Sequence, residues 1–199
     1  MIRLGGVFKS PFTLKSTRDE QSGLGGIDFY GYEDEFKLPL MIGVGAMIEP
    51  IPNLRLAADY EYRGYSNSEQ KRTWTSTNRE YLNTDEFEDA ELEDVNQIRV
   101  GLEYLLPLGD IIIPLRAGVK TEPKPFVDYN NDQVMGAGIT LGIGMAAKSF
   151  TISGTMEFSS YTMKTKYYEE YFGSYYEYEY DTVNSQLNLI VSAIFYFGN

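Results

Sequence analysis

The sequence predicts an all-β fold: a transmembrane, antiparallel, up-and-down β-barrel of eight strands, or eight strands of a larger barrel. Three observations predict it. Apolar residues recur at every second position over runs of up to about 13 residues, as in 36–48, and a period of two marks a strand. Glycines and charges share the opposite parity. The connections between these runs alternate between long and short.

The 36–63 segment shows the first two features best. Phe36, Leu38, Leu40, Ile42, Val44, Ala46 and Ile48 share one parity, while Lys37, Pro39, Met41, Gly43, Gly45 and Met47 share the other. After the turn Glu49-Pro50-Ile51-Pro52-Asn53, Leu54, Leu56, Ala58, Tyr60 and Tyr62 alternate with Arg55, Ala57, Asp59, Glu61 and Arg63. A soluble sheet also reads apolar on one face and polar on the other. Length argues against it, because soluble strands average about 5–6 residues and a tilted membrane strand needs about 9–11. Glycine argues against it too, since it weakens a solvent-exposed strand but suits a crowded polar lumen.

Taken in order, strand one covers 2–14, with Ile2, Leu4, Gly6, Phe8 and Phe12 at one parity and Arg3, Gly5, Val7 and Lys9 at the other. A long loop is expected over 16–35, then the hairpin above, then the longest loop over 64–95. Strand four is 96–106, and Pro107-Leu108-Gly109-Asp110 is a tight turn. Strand five is 111–120, followed by a medium loop over 121–132 that holds Pro123 and Pro125. In strand six Met135, Ala137, Ile139, Leu141, Ile143 and Met145 alternate with Gly136, Gly138, Thr140, Gly142 and Gly144. A short turn at 147–149 leads to strand seven, from Phe150 to Ser159, and strand eight is 185–197. Short turns at one end and long loops at the other fit an outer-membrane barrel with its long loops extracellular. Aromatic girdles are expected at both rims, from Phe12, Phe36, Tyr60 and Tyr62 at one and from Tyr104, Phe150, Phe195 and Phe197 at the other.

Composition narrows the chemistry. The chain has no cysteine and no histidine, which removes disulfides, thiolate or histidine metal sites and Ser/His or Cys/His nucleophiles. No motif arms a carboxylate or lysine instead, so neither an enzyme, a cofactor nor a metal site is expected. A net charge of −12 argues against nucleic acid. That charge sits in the connections, since 16–35, 64–95 and 160–184 carry −5, −6 and −3. Asp85 to Asp94 lacks the ligand spacing of a calcium loop. No run of apolar residues is long enough for a membrane helix, a test blind to barrels. An outer-membrane chain is exported, so the expectation is that export signal and any plug lie upstream of Met1, with 1–199 forming one barrel domain.

Two groups are candidate sites. The first is the inward polar network Arg55, Asp59, Glu61, Arg63, Arg99, Glu103, Arg116, Lys120 and Glu157, together with Arg3 and Lys9. It reads either as a self-satisfying ionic filling or as the wall of a solute path. Removal of one buried partner is expected to cost about 3–5 kcal/mol, against about 0–1 for an exposed pair. The second is the tyrosine-rich stretch 160–184, which holds eight of the seventeen tyrosines. Tyr167, Tyr168, Tyr171, Tyr175, Tyr176, Tyr178 and Tyr180 read as an extracellular aromatic patch for a hydrophobic or sugar ligand, or as a twisted ribbon turning near Phe172-Gly173-Ser174.

The segments Ile2-Arg-Leu-Gly-Gly-Val-Phe-Lys-Ser-Pro-Phe-Thr13, Leu38-Pro-Leu-Met-Ile-Gly-Val-Gly-Ala46, Asn53-Leu-Arg-Leu-Ala-Ala-Asp-Tyr60, Ile98-Arg-Val-Gly-Leu-Glu-Tyr104 and Pro114-Leu-Arg-Ala-Gly118 resemble successive strands in the C-terminal half of the FadL-type outer-membrane transporters of hydrophobic compounds. The resemblance implies passage of long-chain fatty acids or similar molecules across the outer membrane of a Gram-negative cell. Outer-membrane lipid and lipopolysaccharide would be its surroundings. Members of that family have about fourteen strands and a plug in the lumen, whereas eight strands and no plug are visible here. The alternative is a small, filled barrel with a structural or surface-interaction role, because eight strands enclose only side chains.

Overall fold

The computed structural model describes residues 1–22, 28–76, 86–171 and 174–197. Its strands are β1 (Ile2–Lys9), β2 (Phe12–Ser22), β3 (Asp28–Leu38), β4 (Met41–Ile51), β5 (Leu54–Arg63), β6 (Glu69–Ser76), β7 (Glu88–Asp89), β8 (Val95–Leu108), β9 (Ile111–Val127), β10 (Gln133–Ala146), β11 (Phe150–Tyr171) and β12 (Ser174–Phe195). Among the described residues there is no α-helix, and the one helical turn is a 3₁₀ turn at Tyr65–Asn67.

Eight strands form one antiparallel sheet in the order β1-β4-β5-β8-β9-β10-β11-β12. This is the predicted meander, strand for strand. The register is continuous across it: Ile2 faces Ile48, then Leu56, Leu102, Ala117, Leu141, Met156 and Leu189. Every residue in that row is apolar, so one face of the sheet is apolar from edge to edge.

Two tight turns follow from local chemistry. Ile51 pairs with Leu54 across Pro52-Asn53, and Asn53 has φ 69°. Proline then asparagine in a left-handed conformation suits a type II turn. Leu108 pairs with Ile111 across Gly109-Asp110, and Gly109 takes φ 63°, which a Cβ would strain.

The connections depart from expectation. Rather than long loops, 16–35 and 64–95 supply a second antiparallel sheet, β2-β3-β6-β7. Strand one stops at Lys9, because Pro11 removes a donor, and Phe12 begins β2. Pro39 and Leu40 are likewise not in a strand, so Phe36 and Leu38 belong to the second sheet. Phe12 and Phe36 are therefore not rim residues of the large sheet. The medium loop is mostly strand as well, since β9 continues through Pro123 and Pro125 to Val127. Above Lys120 β9 pairs only with β10, and prolines are tolerated on such an edge. The ribbon reading of 160–184 holds: β11 and β12 pair without a shift from Phe150↔Phe195 to Tyr171↔Ser174, while 172–173 lie outside the described residues.

Burial is inverted. Leu4, Val44, Val100, Val119, Ile139, Phe158 and Leu189 are exposed, Leu189 at 73%. Among the described residues the buried apolar side chains are Val95 and Val134, so the large sheet has no apolar core. Its charged face is the sheltered one: Glu61 is 5% exposed. Residues from β1 through β11 line one hollow that takes in Arg55, Asp59, Arg99, Glu103, Arg116 and Lys120 of that face. The sheet does not close: β1 and β12 are both edges.

Candidate functional site

Residues i and i+2 of a strand share a face, and the register stacks the inward residues of β5, β8 and β9 into three transverse rows. Arg55, Glu103 and Arg116 form the first. Ala57, Gly101 and Gly118 form the second. Asp59, Arg99 and Lys120 form the third. Two ionic rows thus flank a row of small residues.

Each ionic row is cross-linked between directly opposed residues, the strongest cross-strand geometry. In the first, Arg55 Nη1 donates to Glu103 Oε1 at 2.8 Å and Arg116 Nε donates to Glu103 Oε2 at 2.7 Å. In the third, Arg99 Nε donates to Asp59 Oδ1 at 2.6 Å, and its Nη2 reaches up to Glu61 Oε2 at 2.8 Å. Arg63 donates to the other oxygen of Glu61. Lys120 passes over β10 to Glu157 on β11 at 3.1 Å. All nine predicted network residues are therefore ion-paired. Charge-assisted bonds of this kind are about twice as strong as neutral ones.

The remaining inward cations behave differently. Arg3 lines the hollow but makes no ion pair among the described residues, and neither does Lys9. The glycine-rich strands lie beside the ionic ones: Gly45 pairs with Asp59 and Gly138 with Lys120.

Sequence reasoning missed a cluster at the long-connection end. Glu122 accepts from Lys124 at 2.7 Å and meets Lys120 at 3.3 Å. The signal was present, because Lys120, Glu122 and Lys124 continue the parity of Arg116, and the two prolines disguised it. Nearby, Asp94 accepts from the Tyr62 hydroxyl at 2.7 Å and the Ser66 backbone N–H at 2.9 Å. The Ser66 N–H, helped by the hydroxyls of Ser66 and Tyr62, holds the Asp94 carboxyl below its usual range against burial, which pushes it up. Gln133 fastens the same end by donating to the carbonyls of Asp94 and Lys124 at 2.8 and 3.0 Å.

On the ribbon, Tyr167 and Tyr178 are directly opposed and about half exposed, as is Tyr180. The side chains of Tyr168, Tyr171, Tyr175 and Tyr176 lie outside the described residues. Lys166 bonds Glu177 and Glu179 and stands 4.7 Å from the centre of the Tyr129 ring, which ties the ribbon to the β9–β10 connection. No family model matches the chain, and no curated protein or solved structure matches it.

Proposed function

We propose that the chain is the wall of a transmembrane β-barrel in a bacterial outer membrane, and that it passes hydrophobic small molecules such as long-chain fatty acids. The apolar face lies in lipid and the ionic face toward the lumen, with the second sheet and the ribbon extracellular. One observation carries the membrane reading: the exposed side of an eight-stranded meander is apolar across its whole width, while charges occupy the sheltered side. In water such a face is far larger than the apolar patches soluble monomers show, about 300–600 Å². In hydrocarbon it is the stable arrangement.

The choice of hydrophobic solutes rests on the resemblance of the strands from Ile2 to Gly118 to FadL-type transporters. The alternative, a filled structural barrel, is favoured by the complete pairing of the nine network residues. Two measurements separate the readings. Cysteines placed at Val100 and Leu102 should resist a water-soluble maleimide in lipid vesicles and react in detergent, whereas one at Glu88 should react in both. Labelling of all three in vesicles would remove the membrane reading. Oleate entry into vesicles carrying the protein should exceed entry into empty ones, and equal rates would leave the filled barrel.

A further inference from the structure

We propose that the free edge of the β11–β12 ribbon, from Glu177 to Val183, takes an extended, lysine- or arginine-rich segment of another polypeptide as an added strand. The inference goes beyond the passage of a solute and holds equally for a filled barrel.

This edge is a row of unused donors. The Tyr196 N–H donates to the Ser149 carbonyl, and β12 pairs with β11 without a shift up to Ser174. Even residues of β12 therefore bond to β11, and the amides of Glu177, Glu179, Asp181 and Val183 point away from it. β12 is the last strand of its sheet, so among the described residues no strand accepts from them. Tyr129 of the β9–β10 connection lies against Lys166, on the β11 side of the ribbon. An exposed strand edge is where an extended peptide adds, with main-chain bonds giving affinity and alternate side chains giving specificity.

The alternation of side chains sets what can add. Glu177, Glu179 and Asp181 share one face, Tyr178 and Tyr180 share the other with Tyr167, and all six are exposed. On the acidic face a single lysine, Lys166, serves both Glu177 and Glu179. Asp181, opposite Lys164, makes no ion pair among the described residues. The row thus keeps surplus negative charge, in a chain of net charge −12. A second copy presenting the same edge would set acid against acid, and like charges directly opposite are destabilising. A segment with a basic residue at every second position sets a cation against each acid. Its intervening residues then lie beside the tyrosine rings, where β-branched side chains pair well.

The test measures binding of labelled octapeptides to the whole protein in lipid nanodiscs at low ionic strength. One peptide alternates lysine and threonine, a second carries the same residues in two blocks, and a third alternates glutamate and threonine. The alternating basic peptide should bind at least about tenfold more tightly than the block peptide, less than two net main-chain hydrogen bonds supply. The acidic peptide should not bind. Val183→Pro removes an outward amide without touching the ladder to β11. It should weaken the alternating peptide by about threefold to tenfold and leave the block peptide unchanged, while Asp181→Lys should weaken both basic peptides. Equal binding of the alternating and block peptides would mean that charge alone attracts them, and the inference falls. It falls as well if the acidic peptide binds as tightly as the basic one, or if neither substitution has an effect. A change of oligomeric state on Val183→Pro, with no peptide present, would put a second copy on this edge and also overturns it.

Discussion

Lys120 reaches Glu157 two strands away, at 3.1 Å, by lying across the bare backbone of Gly138. A Cβ built on Gly138 would sit 2.6 Å from Lys120 Cε and 3.1 Å from its Cγ, closer than atoms pack. Here glycine serves as clearance for a neighbour's side chain. Gly138→Ala should therefore displace Lys120 and weaken its contact with Glu157, lowering stability by about 1 kcal/mol. If displacement is the whole cause, Lys120→Met and Gly138→Ala will be strongly non-additive in a double-mutant cycle. Additive effects would mean that the glycine acts through its own backbone.

Glu103 holds two arginines at once, Arg55 and Arg116. The acid is 19% exposed, but its partners keep 33% and 40% of their side-chain surface in water. That wet setting lowers the cost expected from sequence for a fully buried pair. Glu103→Gln should reduce unfolding free energy in detergent by about 1–2 kcal/mol, and Glu88→Ala should leave it unchanged. A loss of the full 3–5 kcal/mol would mark the arginines as dry in the intact membrane.

Asp94 joins the start of β8 to Ser66 and Tyr62, outside the proposed membrane span. Its pKa is lower when folded than the ordinary value of 3.8. A depressed carboxylate contributes its stability above the unfolded pKa and loses it as pH falls through the folded one. The stability gap between the unaltered protein and Asp94→Asn should accordingly be constant at neutral pH and shrink only below about pH 4. A gap that closes between pH 5 and 7 would show that another group is titrating.

Most of the large sheet was legible because its signal is repetitive. Met135 to Met145 and Phe150 to Ser159 alternate cleanly, and their pairing follows. The second sheet was not legible, since its apolar pairs stop after Phe12–Leu38 and Leu14–Phe36 and the rest of β2, β3 and β6 carries charges such as Lys15, Glu33, Glu35 and Lys71 with no sustained apolar period. Ion pairs of opposite sign bridge those strands, Lys15 diagonally to Glu33 and Arg72 to the directly opposite Asp34. A polar ladder of that kind resembles a loop to any test of hydrophobic period. The ionic network was readable as a set of inward residues. Which acid meets which base depended on register, and register shows only once strands are paired.

Register also decides what the open edges need. The Glu49 N–H donates to the Met1 carbonyl, so odd residues of β1 bond to β4 and the amides of Ile2, Leu4, Gly6 and Phe8 point outward along the edge. At the other end the Tyr196 N–H donates to the Ser149 carbonyl, which leaves the amides of Leu187, Leu189, Val191, Ala193 and Phe195 facing out. These are the lipid-facing residues of both strands, and β1 and β12 run antiparallel across an eight-stranded meander. The 187–195 edge carries no charge or proline to discourage pairing. Hydrocarbon cannot satisfy such groups, so in vesicles the amides of Leu4, Gly6, Leu189 and Val191 should exchange hydrogen as slowly as those of β8 and β9. Because the chain has no native cysteine, a Gly6→Cys, Ala193→Cys protein can report the partner directly. A disulfide within one chain means that these eight strands close on themselves, and one between chains means that a second copy completes the ring. Fast exchange at all four amides in vesicles would show that the edges stay in water, and the sheet would not be a membrane wall.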